Sequence, residues 1–440
     1  MGQDKQLQSR MRGNDYDHAI VIGSSIAGLS AARVLSDFFK RVTVVERDSQ
    51  HEDPEFRKGV PQARHAHTLL PRGQAVLEQL YPGLVEELFS LGAIPVRPEK
   101  DIAFFKDGAW HTPRSRGSEI NLASSRPMLE AAVYRRTASR QNVQFLNGYE
   151  VVGVIQDQSN RQATAVRLQS RENPTQEIKI LTSNLIVDAS GRNSQAPRWL
   201  SELGYLPPEE WHVNSFVGYV TRIYERPANF DGDWKTLYIR PTAPAGTRGG
   251  IILPMEGGRW QVTLIGVARD YPPTTEDGFL DYARSLPTPR LYEAIKDAAP
   301  LSKPSGYRRT DNRVRRYDRL PLYLEGFLVL GDAVYALNPI YAQGMTCAAL
   351  GSLALQSSLN AQLSQPGLVG LAESFQKRLS KSVGSLWHGT VTKEWSWSVT
   401  ELDDNTEQIY PADGAEEVEW RTSTISARNE GKRQYQYQPA

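Results

Sequence analysis

The stretch that most constrains this chain is DHAIVIGSSIAGLSAARVLSDFFKRVTVVERD, residues 17–48. Asp17–Ile22 is an apolar strand, and the residues after Gly23 carry apolar side chains at helical spacing. Arg41–Asp48 is a second β-branched strand. Strand, glycine turn, helix and strand within about 30 residues form a βαβ unit. Such a crossover commits the chain to a parallel sheet with helices on its faces and a ligand crevice beyond the strand ends.

Within the unit, Gly23-Ser24-Ser25-Ile26-Ala27-Gly28 sits between strand and helix. It is the dinucleotide fingerprint with Ser25 where the second glycine normally stands. The glycines permit a tight turn and close approach of the backbone to a pyrophosphate, which the helix N-terminus attracts. Glu46, followed by Arg47, ends the second strand. A carboxylate there accepts hydrogen bonds from a ribose diol and repels a 2′-phosphate, so the motif points to FAD or NAD rather than NADP.

The remainder predicts an α/β chain with a large β-rich insert. Ser49–His67 is polar and reads as a functional loop. Apolar spacing predicts helices over Gln74–Leu91 and Pro127–Arg140. Residues 143–180 alternate like an antiparallel meander, and Leu185–Ser194 is a strand running into a glycine turn. Strands fill residues 215–268; in RWQVTLIG, Trp260, Val262 and Leu264 share one face by the period of two. The strand GFLVLGDA, Gly326–Ala333, returns to the parallel pattern, and helices continue to about Trp387. The expected division is a disordered segment 1–15, a nucleotide-binding part 16–205, a mainly substrate-binding β-sheet part 206–310, a second nucleotide-binding part 311–390 and a tail 391–440.

A second motif distinguishes the two cofactors. Gly331-Asp332-Ala333 follows a strand, and Pro339, Gly344 and Met345 follow in NPIYAQGM. A carboxylate at that strand end suits ribityl hydroxyls. Backbone N–H groups near Gly344 would face a flavin pyrimidine ring and stabilise its negative charge on reduction. An NAD dehydrogenase has no need of a second acidic turn there. The ordinary alternative for Asp332 is a helix N-cap.

VIGSSIAGLSAARVL with VVERD, DASGRNS and GDAVYALNPIYAQGM resemble the three signatures of FAD-dependent monooxygenases of the para-hydroxybenzoate hydroxylase fold, over residues 17 to 390. RKGVPQARHAHTLL (Arg57–Leu70) and NRVRRYDRL narrow the resemblance to bacterial flavin epoxidases that oxidise polyene chains before polyether formation. The resemblance implies a Rossmann-like FAD-binding sheet with a β-meander and an interleaved antiparallel substrate sheet. It places Gly23, Ser24, Ser25, Ile26, Ala27 and Gly28 at the pyrophosphate and Glu46 with Arg47 at the adenosine ribose. Arg126, Gly331 and Asp332 would meet the ribityl or phosphate region, and Pro339, Gly344 and Met345 the pyrimidine ring. Gln62 and His65 would lie in a loop wrapping the flavin. Two positions depart from the family. Ser190 stands where an aspartate usually precedes the middle glycine, with Asp188 two positions earlier, and Tyr335 replaces the usual histidine after the GDA turn.

The implied activity is insertion of one atom of O₂ through a flavin C4a-hydroperoxide, with a lipophilic alkene of polyketide or terpenoid type as substrate. NAD(P)H would supply electrons, directly or through a separate reductase, because the chain has a single dinucleotide fingerprint. Alternatives on the same scaffold are an aromatic hydroxylase, a flavin-dependent reductase of prenyl double bonds and a non-catalytic flavin-binding protein. Phe216, Tyr219, Tyr238 and Trp260 in the middle strands are core residues by default and substrate-pocket candidates by position.

Other features carry less. His65 and His67 lack a Cys or acidic partner at ligand spacing, so no metal is expected. The arginines of Arg308–Arg319 read as a solvated connection packed against acidic neighbours. Trp395-Ser396-Trp397 matches only part of the Trp-x-Trp-x-Ile-Pro motif of flavin halogenases and stands in the wrong part of the chain. Lys+Arg 51 against Asp+Glu 50 gives a net charge of +1, which argues against a nucleic-acid partner. Cys347 is the only cysteine, so a disulfide framework is excluded and a reducing cytoplasm is the expected setting. No segment reaches the ~20 clean apolar residues of a membrane span.

Overall fold

In a computed structural model, residues 16–48, 56–57, 59–113, 120–157, 159, 161–175 and 177–402 are described. The expectations for segment 1–15 and for most of the tail fall outside them. Five strands form the parallel sheet that the opening motif calls for, in the order Phe327–Val329, Leu185–Asp188, Tyr16–Ile22, Phe39–Glu46, Val143–Asn147. The helix Ile26–Leu35 lies against it and buries Ile26, Gly28, Leu29, Ala31, Ala32, Val34 and Leu35. That near-complete burial follows from its cover, the helix Gly344–Gln362, which packs on its other side.

Tyr149–Asp157, Gln162–Ser170 and Lys179–Thr182 make the expected antiparallel meander. The stretch expected as one helix over Gln74–Leu91 is two, Pro71–Leu80 and Leu84–Ser90. The break falls at Tyr81-Pro82-Gly83, where Gly83 takes φ +80°, in the left-handed region that glycine enters at little cost.

A seven-stranded sheet has the order Ser305–Tyr307, Gly218–Glu225, Arg259–Gly266, Arg248–Met255, Thr236–Ile239, Ile102–Lys106, Ala109–His111. Its last two strands come from residues 102–111, well before the stretch expected to form the substrate sheet. Ile102–Lys106 joins in parallel, with Tyr238 opposite Phe104. The helices Glu276–Arg284 and Arg290–Ile295 cover one face. There Trp260, Val262 and Leu264 pack with Phe279, Leu291 and Ile295, as the alternation in RWQVTLIG predicts. The other face carries Tyr219, Thr221, Thr263, Ile265, Ile251 and Tyr238, and it looks toward the parallel-sheet domain. No helix among the described residues is long and apolar enough to cross a membrane.

Candidate active site

A cleft of about 480 Å³ opens at the carboxyl ends of the parallel strands. The turn after Tyr16–Ile22 forms its floor. Gly28 is required by contact, since a Cβ there would stand 1.8 Å from the Gly23 carbonyl oxygen. Gly23, at φ +96°, would carry a Cβ 2.8 Å from the Ala189 carbonyl oxygen. Both glycines therefore serve the close approach of turn, helix and neighbouring strand.

The middle position of the fingerprint, by contrast, uses a side chain. Ser25, where a glycine is usual, donates its hydroxyl to Glu130 at 3.0 Å and accepts from Arg126 at 2.8 Å. Arg126 also donates to Glu130 at 3.1 Å. Arg57 donates to Glu130 and lies 3.4 Å from the Glu46 carboxylate. Two carboxylates and two guanidiniums thus form a buried network under the cleft. Neither Arg57 nor Glu130 was singled out for this purpose from sequence. The helical spacing of Arg126 and Glu130 is a usable signal, whereas Arg57 reaches them through the tertiary fold.

Glu46 lines the cleft, but much of its hydrogen-bonding capacity is used by the chain itself. Its Oε2 accepts from Ser24 N at 2.9 Å and Ser24 Oγ at 2.6 Å, and its Oε1 accepts from Asp48 N at 3.0 Å. These bonds and Arg57 hold its carboxyl below its usual value despite the opposing effect of burial. A carboxylate offers about four acceptor sites, so room for a ribose hydroxyl remains on Oε1.

Ile26, Ala27, Arg47, Pro339, Gly344 and Met345 also line the cleft. Gly28 and Gly331 lie behind its surface, and a Cβ on Gly331 would meet Ala27 Cβ at 2.8 Å. Asp332 faces the cleft and takes no hydrogen bond from the described residues. Burial pushes its carboxyl up, against the pull of Arg192, Arg126 and Arg313. The 344–362 helix points its N-terminus at the same space. A glycine cradle, an unengaged carboxylate and a helix N-terminus in one cleft fit a flavin dinucleotide.

Of the two positions that depart from the family pattern, Ser190 lines the cleft, whereas Tyr335 and the earlier Asp188 are turned away from it. Asp188 is fully buried and holds its turn, accepting from Ser190 N at 2.9 Å and Ser194 Oγ at 2.5 Å. Tyr335 is buried, with its hydroxyl 3.3 Å from Ser380 Oγ. The arginine-rich connection is in part solvated, with Arg308, Arg309 and Arg319 exposed, and in part packed against acidic neighbours. Arg315 pairs with Glu210 at 2.6 Å, Arg316 pairs with Asp318 at 2.7 Å, and only Arg309 of this stretch lines the cleft.

A second cavity of about 310 Å³ adjoins the cleft and shares Gln62, Ala66, His67, Thr68, Tyr307, Pro339 and Ala342 with it. Gln62 therefore stands at the junction. His65 lines the second cavity, buried, with Nδ1 2.8 Å from Thr221 Oγ1. Thr221 Oγ1 is 2.6 Å from Thr263 Oγ1, which accepts from Ala66 N at 3.3 Å. Gln261 Nε2 donates to the Arg64 carbonyl at 3.0 Å. The loop is thereby tied to the seven-stranded sheet. Burial brings the His65 imidazole down to about 4 and, with help from Arg126, the His67 imidazole down to about 3, so both are neutral near pH 7.

Tyr219 and Tyr238 line this cavity, as two of the four aromatic candidates. The other two do not. Trp260 points to the opposite face, stacked on Trp234 at 5.8 Å. Phe216 lies beneath the Arg269 guanidinium, 3.3 Å from its ring centre. Neighbouring residues on a strand alternate faces, so Tyr219 and Trp260 cannot both face the cavity in this register, in which Tyr219 opposes Ile265 and Tyr224 opposes Trp260. Thr263, Ile265, Ile251 and Leu253 are cavity residues that sequence reading passed over. The off-face positions of RWQVTLIG were the available signal.

The wall next to Tyr219 is fixed by Asn338. Tyr219 donates to Asn338 Oδ1 at 2.8 Å, and Asn338 Nδ2 donates to the buried Glu394 at 2.6 Å. Cys347 is buried in the 344–362 helix, and burial raises its thiol well above the usual value. Among the described residues, no group of three or more His, Cys, Asp or Glu side chains is placed to hold a metal ion.

Comparison with known proteins agrees with this geometry. The model of a family described as "FAD binding domain" matches residues 16–382. Protein Rv3254 of Mycobacterium tuberculosis is 33% identical over 391 residues, covering 85% of this chain and 79% of the relative. Among solved structures, a probable FAD-dependent monooxygenase, pqsL of Pseudomonas aeruginosa, aligns with a TM-score of 0.62 at 18% identity, over 85% of this chain and 94% of its own. The myxobacterial chondrochloren halogenase CndH aligns with a TM-score of 0.64 at 17% identity, over 86% and 82%. At these identities the two structures speak for the fold.

Proposed function

On the premise that this chain belongs to the FAD binding domain family, with the para-hydroxybenzoate hydroxylase fold, we propose that it is a monooxygenase that epoxidises an alkene of a lipophilic natural product. The observation that carries the substrate class is the lining of the second cavity. It holds Leu70, Val96, Ile102, Leu122, Ile251, Leu253 and Ile265, and among the described residues no Asp, Glu, Lys or Arg lines it. An apolar chain entering it would leave no buried charge unpaired.

When bound, FAD supplies the redox chemistry, taking electrons from a reduced nicotinamide and activating O₂. The chain's own residues would do the rest. The Gly23–Gly28 turn, Glu46, Arg126 and Asp332 would hold the cofactor. The loop around Gln62 and His65, tied down through Thr221, Thr263 and Gln261, would close the junction between cleft and cavity and keep water out. The Asn338 link to Tyr219 and Glu394 would keep the cavity wall rigid, so that an alkene is presented in one orientation. Attack by a π-bond needs no protein base. The cavity offers none that is strong near pH 7, since His65 is neutral and weakly basic there.

The test is anaerobic reduction of the FAD-loaded protein by NADH or NADPH, followed by air in the presence of terpenoid or polyketide alkenes. An alkene product heavier by one oxygen atom, labelled from ¹⁸O₂, is the expected result. Hydroxylated phenols, saturated alkenes, or flavin that never turns over would each replace this reading with one of the alternatives. Reduction only after addition of a flavin reductase would identify a partner enzyme as the electron source.

A further inference from the structure

A third cavity, also about 310 Å³, lies beside the apolar one, and its lining includes Lys106, Arg240, Tyr341, Lys393 and Trp397. Tyr238, Ile340 and Tyr341 line both cavities, so the two are separated by little more than single side chains. The chemistry of the third cavity is different. Lys106 is paired with Asp107 at 3.0 Å, but Arg240 and Lys393 have no carboxylate within ion-pair distance among the described residues. Lys393 lies over the Tyr341 ring at 5.3 Å from its centre. Arg240 and Lys393 line the same cavity, and burial with the neighbouring Arg240 charge holds the Lys393 amine below its usual value. Arg240 lines the third cavity together with Tyr238 and Tyr341 of the shared wall. The adjacent carboxylate of Glu394 is engaged elsewhere, accepting from Ser215 N at 3.2 Å and from Asn338. Two cations that line one cavity with no directly paired carboxylate among the described residues suit an anionic ligand.

We propose that Arg240 and Lys393 bind the anionic end, a carboxylate or a phosphate, of a substrate whose apolar chain occupies the neighbouring cavity. This deepens the reading above and rests on it for the lipophilic chain. The substrate is then an amphipath, oriented at one end by charge and at the other by apolar contact. Of the Trp395-Ser396-Trp397 stretch, Ser396 and Trp397 line this cavity.

The test measures binding to the FAD-loaded protein by calorimetry, with no turnover required. The probes are undecenoate, undecenyl phosphate and methyl undecenoate, and the proteins are wild type and the double variant Arg240→Gln/Lys393→Gln. Lys393 is exposed and Arg240 half-buried, so each charge contact is modest, and the anions should bind about 10-fold more tightly than the ester. The double variant should lose that preference and keep its affinity for the ester and its FAD content. Lys393→Gln alone should lose about 3-fold and serves if the double variant fails to fold. A preference for only one of the two anions identifies the head group. Equal binding of acid, phosphate and ester to wild type, or a preference that survives in both variants, overturns the anion site and leaves the lipophilic reading intact. Failure of all three probes to bind overturns both.

Discussion

Glu130→Gln tests the charge balance under the cofactor cleft. The Glu130 side chain is 9% exposed and sits between Arg57, 10% exposed, and Arg126, 8% exposed. With Glu46 the four groups sum to zero charge. The amide keeps the shape of the carboxylate but leaves one buried guanidinium without a counter-charge. Breaking such a network costs about 3–5 kcal/mol. For a chain of 440 residues, the unfolding entropy is roughly 0.9 kcal/mol/K, so the Tm of the FAD-free variant should fall by about 3–5 °C. The pyrophosphate of FAD is itself anionic. Placed over the fingerprint turn beside Arg126, it would supply the missing negative charge, so adding FAD should raise the Tm of the variant by more than it raises that of wild type. Differential scanning fluorimetry across an FAD titration measures both. A cofactor-free variant within about 1 °C of wild type refutes the buried-charge reasoning. A normal drop with equal FAD-induced shifts would instead refute the placement of the pyrophosphate near these arginines.

Gly28→Ala should cost FAD before it costs the fold. Its Cβ would stand 1.8 Å from the Gly23 carbonyl oxygen, and moving the turn to relieve this should cost about 1–3 kcal/mol and lower FAD occupancy after purification; a fully yellow variant would remove the close-approach role. His65 is held neutral down to about 4, against 6.5 when unfolded, so as pH falls from 6.5 toward 4 the unfolded state takes a proton that the folded state does not. Stability should therefore fall across that window by about 1.4 kcal/mol per pH unit, and His65→Asn should remove that part of the slope; an unchanged slope in urea titrations at several pH values would show that this imidazole titrates normally. Trp260→Ala should lower stability by about 3–5 kcal/mol with little change in substrate affinity, while Tyr238→Ala should do the reverse. Paired denaturation and binding measurements decide between them, and a loss of affinity in the tryptophan variant would contradict the assignment of sheet faces.

The cleft at the strand ends was largely legible because its geometry is local. A strand, two glycines, a helix and an acid at the next strand end occupy about 30 consecutive residues, and backbone sterics leave such a sequence few conformations. The GDA turn was legible for the same reason, as was the alternation that groups Trp260 with Val262 and Leu264. Other features needed distant contacts. Arg57 reaches Glu130 across 73 positions and His65 reaches Thr221 across 156, and no local pattern encodes either pairing. The single helix expected over 74–91 broke because Pro82 and Gly83 outweighed the apolar spacing around them.

By itself, then, the sequence determined a parallel nucleotide-binding sheet and the residues at its carboxyl edge, since those depend on period, turn sterics and strand-end chemistry. Only the tertiary structure decided which face of the seven-stranded sheet holds the substrate cavity. Both faces are covered, one by helices and the other by the parallel-sheet domain and the 59–70 loop, so apolar residues occupy both. Alternation separates the two faces of a strand but, with neither exposed to water, carries no mark of which one is lined by a packed core and which by a cavity.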